Sequence, residues 1–191
     1  MNDELIKKAS EKFLTRLEKH KDDPWNLAVH IREAEKWAGK VLEKYPEADK
    51  DVVMLSVWLH DIGHYPIQEI DHAVILEQIA REFFSIEKVN KELADKVLHC
   101  VRSHRNRDVT PATFEAKLFA MIDSVSHFTY IPYIEMAQQG RALDALSKLE
   151  RDYRDVAPFP EVLKEIKPLY LALKNLLIEL QKFDFEVWKI K

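Results

Sequence analysis

Apolar residues recur at three-to-four spacing along almost the whole chain, a period that fits helices and little else. Residues 3–20 show it first, with Leu5, Ile6, Ala9, Phe13, Leu14 and Leu17 on one stripe. A second segment opens at Asp23-Pro24, where aspartate suits an N-cap and proline the first helical position. It runs to about Tyr45, just before Pro46. Residues 48–60 carry Val52-Val53-Met54-Leu55-Ser56-Val57-Trp58-Leu59, which is apolar on all sides. Alone, such a run also suits a buried strand; its helical surroundings make it a central buried helix, ended by Gly63 and Pro66. Further helices are expected over 70–85, 87–104, 111–128, 131–138, 141–153 and 159–189. Thr110-Pro111 is the start signal for the segment holding Asp123, and Pro168 is expected to kink or split the last. The fold class expected is all-α, a helical bundle.

A chain of 191 residues suits one domain, or one domain with a helical appendage. The reading adopted is a single domain over 1–191, with a core at about 24–130 and packing helices at about 131–191. Twenty-nine basic against 33 acidic side chains give a net charge of −4, which disfavours a nucleic-acid polymer or a membrane surface as partner. One cysteine, Cys100, excludes an intrachain disulfide and predicts a reducing compartment. The first residues are charged and lack an apolar signal region, so a soluble cytoplasmic protein is expected. The three glycines, Gly39, Gly63 and Gly140, are too scattered for a P-loop or Rossmann phosphate site. Phosphate, if handled, falls to metals or cationic side chains.

The ionisable residues that interrupt apolar faces carry the chemistry. His30 sits three residues after Leu27 and four before Ala34, where a lone histidine is usually a hydrogen-bonded core residue. His60-Asp61 closes the buried helix, and Asp123 lies inside Leu118-Phe119-Ala120-Met121-Ile122-Asp123. Each admits a bland explanation as a hydrogen-bonded buried group. Together they have a more economical one: two imidazoles and two carboxylates converging on a divalent cation, which offsets the cost of burying two anions. Such a donor set suits Mn, Fe, Co, Ni, Zn or Mg.

A histidine, then a His-Asp pair, then a distant aspartate, all on helices, resembles the HD superfamily of metal-dependent phosphohydrolases. His30, His60-Asp61 and Asp123 match that pattern over roughly residues 24–130. The run His60-Asp61-Ile62-Gly63-His64-Tyr65-Pro66 resembles the equivalent stretch of the family's deoxynucleotide triphosphohydrolases, although this chain is much shorter than those enzymes. The Gly-Tyr-Pro signature of the cyclic-di-GMP branch is missing. Ile62-Gly63 stands where ppGpp hydrolases carry an acidic pair. The layout is closest to small stand-alone HD proteins.

The resemblance implies an HD-domain helical bundle with His30, His60, Asp61 and Asp123 as metal ligands. It implies His72 and His104 as candidates for a second ion, against plain roles at a helix start and a helix end. Asp61 would also orient the attacking water. His64 would face the substrate phosphates, as a hydrogen-bond donor or as the acid for the leaving group, against a surface histidine in a turn. Arg105 and Lys117 are candidate substrate contacts. The activity implied is hydrolysis of a phosphate ester or anhydride of a small phosphorylated metabolite, a nucleotide first. A nucleoside 5′-monophosphate phosphatase, a phosphodiesterase and a non-catalytic nucleotide-binding sensor or scaffold stand as alternatives, and a homodimer is left open. A di-iron bundle is disfavoured, because no two Glu-x-x-His pairs fall on facing helices.

Overall fold

Why these residues form helices is clearest at the centre. In the computed structural model, which describes residues 2–20, 23, 26–66, 71–130 and 132–183, the apolar run becomes α3, Lys50–Leu59. Asp49 caps it, its carboxylate accepting from the N–H groups of Asp51 and Val52 at 3.1 and 3.3 Å. Val52, Val53, Leu55, Val57 and Leu59 are wholly buried. Each such side chain contributes about 2 kcal/mol of burial free energy. A helix buried all round must be packed all round, and α3 meets α1 (Asp3–Glu18), α2 (Leu27–Lys44) and α5 (Lys91–Ser103).

α4, His72–Ile86, packs on α5 and on the 3-10 turn Ile62–His64 that follows α3. Gly63 makes that last contact feasible. A Cβ there would lie 2.4 Å from the carbonyl oxygen of His72 and 2.6 Å from the amide nitrogen of Leu76. Only a residue without a side chain lets the turn lie directly on the backbone of α4.

The chain divides into two compact units, Met1–Asp123 and Ser124–Lys191. α6, Phe114–Tyr130, is a continuous helix that includes the division. In the second unit α7 (Pro132–Gln138), α8 (Ala142–Val156) and α9 (Pro160–Leu180) pack on one another. No strand occurs among the described residues, so the all-α expectation holds. No helix there is long and apolar enough to cross a membrane.

Several boundaries move for local reasons. α2 starts at Leu27, three residues after Pro24; Asp23 still accepts from a first-turn amide, that of Ala28, at 3.0 Å. α5 starts at Lys91 instead of 87, because Lys88 adopts a positive φ of 52° and Asn90 supplies the cap. α6 starts at Phe114 instead of 111, and Thr113 accepts from the amide of Ala116. α9 continues through Pro168 without splitting. The expected end of that helix, residues 184–189, lies outside the described residues.

Candidate metal centre

Three helices deliver the first cluster. His30 comes from the buried face of α2, His60 caps the C-terminus of α3, Asp61 follows it, and Asp123 sits on α6. All four are buried. The His30 and His60 Nε2 atoms are 3.0 Å apart. Asp61 Oδ2 lies 3.3 Å from each of them. Asp123 Oδ1 lies 3.2 Å from His30 and 3.4 Å from His60.

These separations have a coordination meaning. A cation about 2.1 Å from each donor spaces neighbouring donors by about 3.0 Å at right angles and about 3.4 Å at tetrahedral angles. The observed 3.0–3.4 Å spans that interval. The tautomer agrees as well. His60 Nδ1 lies 2.9 Å from the carbonyl oxygen of Val57, so a neutral ring keeps its proton there and presents the Nε2 lone pair to the cluster. The donors present therefore fit a divalent ion.

Charge tells the same story. Burial works to lower the pKa of His60, yet Asp61 and Asp123 outweigh it and raise the value well above that of free imidazole. His30 is raised in the same way against its burial. Burial opposes ionisation of Asp61, but the charges of His60 and His64 and hydrogen bonds with His30 and His60 bring its pKa well below the usual carboxylate range. Two buried carboxylates thus demand positive charge at this place. Protons on the imidazoles supply it only by giving up the lone pairs that the geometry has aligned.

The second oxygen of Asp61 turns to another set. Its Oδ1 is 3.4 Å from His64 Nε2, 3.8 Å from His72 Nε2 and 3.9 Å from His104 Nε2. His72 opens α4 and His104 caps the C-terminus of α5. Burial brings His104 down to about 4. His72 is also about 4, lowered by burial and by the nearby positive charges of His64, His104 and Arg105 against the pull of Asp61. Both rings therefore stay neutral near pH 7, as ligands must. His104 Nδ1 is 2.6 Å from the Val101 carbonyl oxygen, which fixes its tautomer as at His60. Asp61, His72 and His104 can hold an ion as a group, as can His30, His60 and Asp61. His64 stacks on His72 with ring centroids 3.9 Å apart and stays a fifth exposed.

The residues named from the sequence divide accordingly. His30, His60, Asp61, Asp123, His64, His72 and His104 are brought together. Arg105 is instead turned to carboxylates, 3.0 Å from Asp71 and 3.8 Å from Asp108. Lys117 projects from the exposed side of α6, six residues before Asp123 and so on another face. His99 serves the backbone: its Nε2 accepts from the amide of Ala112 at 2.9 Å.

Comparison with known families matches residues 27–127, more than half of the chain, to the HD domain. The chain belongs to the HD domain family. It is therefore an HD-superfamily metal-dependent phosphohydrolase domain, as its histidine and aspartate order implied. HD domains bind divalent metals, and the His/Asp clusters here are able to hold one. No curated protein and no solved structure matched. Sequence reasoning missed the part played by Gly63, which it read only as a helix stop. The signal was its place between Asp61 and His64, where a functional turn lacks a side chain.

Proposed function

We propose that this chain hydrolyses a phosphate ester or anhydride of a small phosphorylated metabolite, with a nucleotide as the substrate class. His30, His60, Asp61 and Asp123 would hold one divalent ion, and Asp61, His72 and His104 would hold a second. The observation that carries the reading is the division of Asp61: Oδ2 stands 3.3 Å from His30 and His60, and Oδ1 faces His64, His72 and His104. One carboxylate between two imidazole groups is the arrangement that a bridging ligand requires.

When bound, a divalent ion lowers the pKa of water and neutralises phosphoryl oxygens. The chain's own groups do the rest. Asp61 orients the attacking water by hydrogen bonding. His64 is partly exposed, as is His72, but belongs to neither ligand group, and its Nε2 donates to a phosphoryl oxygen or passes its proton to the departing oxygen. Stacking on His72 holds its ring in place for that task. Neither Arg105 nor Lys117 is needed to explain phosphate binding.

The test is a screen of phosphorylated metabolites on metal-free protein reloaded with Mn, Fe, Co, Ni, Zn or Mg. Turnover is expected with at least one ion. Release of Pi, PPi or tripolyphosphate identifies the bond and separates triphosphate hydrolase from monophosphatase. Tight nucleotide binding without turnover under every ion would overturn the reading in favour of a sensor.

A further inference from the structure

The two histidines of the second group come from separate helix ends, and the residue beside each is charged. Asp71 precedes His72 and Arg105 follows His104. Arg105 Nη2 lies 3.0 Å from Asp71 Oδ1 and 3.1 Å from Oδ2, so one guanidinium nitrogen spans the carboxylate. Asp71 Oδ1 simultaneously accepts from the amide of Ala73 at 2.8 Å and caps α4. One carboxylate therefore ties the start of α4 to the end of α5, a single residue from each ligand.

This second group is looser than the first. Its donors stand 3.8 and 3.9 Å from Asp61 Oδ1, against 3.0–3.4 Å in the His30 cluster. These separations depend on where the start of α4 and the end of α5 stand, so a contact that fixes those two ends bears on the affinity. Arg105 also places a positive charge one residue from the ligand His104. Left unneutralised, it would repel a second cation; Asp71 at 3.0 Å is its nearer carboxylate, with Asp108 at 3.8 Å.

We propose that the Asp71–Arg105 ion pair is a latch that sets affinity for the ion held by His72 and His104, without affecting the ion held by His30 and His60. Both are positioning residues, since neither side chain is a ligand. The proposal rests on the two-ion reading given above. Asp71 is half exposed, and an ion pair so placed contributes little to overall stability. Its effect belongs to the metal centre.

Metal-free protein is titrated with Mn²⁺ alone, following heat by calorimetry and coupled Mn²⁺ pairs by electron paramagnetic resonance. Wild type is expected to bind in two steps. Asp71→Asn keeps an oxygen to cap α4 and removes the charge. It should weaken the second step about ten-fold, the effect typical of groups that orient ligands, with the first step unchanged. Arg105→Gln should weaken the second step less, since it removes the repelling charge together with the latch. Asp71→Asn combined with Arg105→Gln should bind like Arg105→Gln alone. Equal weakening of both steps, or an unaltered second step, overturns the latch. A wild type that takes one Mn²⁺ overturns the latch and the two-ion reading while leaving the HD centre; one that takes none overturns the proposed function itself.

Discussion

The two units of the molecule each bury an aspartate against a histidine, and they solve the resulting electrostatic problem differently. In the second unit, Asp152 lies on the buried face of α8. Its Oδ2 accepts from Tyr133 Oη at 2.7 Å and lies 3.0 Å from His127 Nδ1 and 3.1 Å from Lys148 Nζ. Against the opposing effect of burial, Lys148 and His127 bring its pKa down to about 2. The chain supplies the cation. In the first unit, His30, His60, Asp61 and Asp123 gather four donor atoms at coordination spacing, with no lysine or arginine among them. A buried carboxylate that already has a cation is finished structure. One whose neighbours are imidazoles with aligned lone pairs is a place for a metal.

The difference predicts opposite phenotypes. Asp61→Ala should abolish stoichiometric metal, His60→Ala should cost the ion of the His30 cluster, and each should lower hydrolysis by more than about 100-fold, the upper range for partners that only orient a ligand. Elemental analysis and turnover on the same preparations check this. Retention of both metal and activity would sink the assignment. Asp152→Ala should leave metal content unchanged and instead destabilise the protein by about 4 kcal/mol, because it leaves Lys148 and His127 without their shared anion. Denaturant unfolding measures that loss, and loss of metal without loss of stability would reverse the comparison.

Much of this was legible in the residues. Helical spacing identified α1 to α9, and four ionisable residues on apolar faces marked the first cluster. Boundaries were less legible, because caps are chosen by three-dimensional partners. Thr113 caps α6 although Thr110-Pro111 carries the stronger local signal, and Asn90 begins α5 after a left-handed Lys88. Arg105 reads as a phosphate contact from type alone; its pairing with Asp71, 34 positions away, depends on how α4 meets α5. Asp152 is less legible because the last 50 residues hold no histidine to mark it, and its partner His127 lies outside them. Its spacing was the missed clue: Ala145, Leu149, Asp152 and Val156 fall on one buried stripe of α8.

Acid should separate the two clusters further. Asp152 has a folded-state pKa of about 2 against an ordinary 3.8, so its stabilisation is present above pH 3.8 and is lost as pH falls toward 2. That difference corresponds to about 2 kcal/mol. Denaturant midpoints of metal-free protein taken between pH 5 and 2.5 should fall more steeply in wild type than in Asp152→Asn. Parallel curves would show that Asp152 is not the group responsible.

The smallest expected effect tests how the Asp152 anion is shared. Tyr133 is wholly buried and its hydroxyl makes the shortest of the three contacts. Tyr133→Phe keeps the ring and removes one hydrogen bond to a charged acceptor, a loss of about 1.5 kcal/mol. Lys148 and His127 still face the carboxylate, so the variant should stay folded and its metal content should match wild type. The missing donor also makes ionisation of Asp152 less favourable, which moves the acid-induced loss toward higher pH. If Tyr133→Phe instead costs as much as Asp152→Ala, the hydroxyl is the principal partner and Lys148 and His127 are secondary. The second unit would then neutralise its carboxylate by hydrogen bonding more than by charge, and its contrast with the His30 cluster would rest on donors and not on cations.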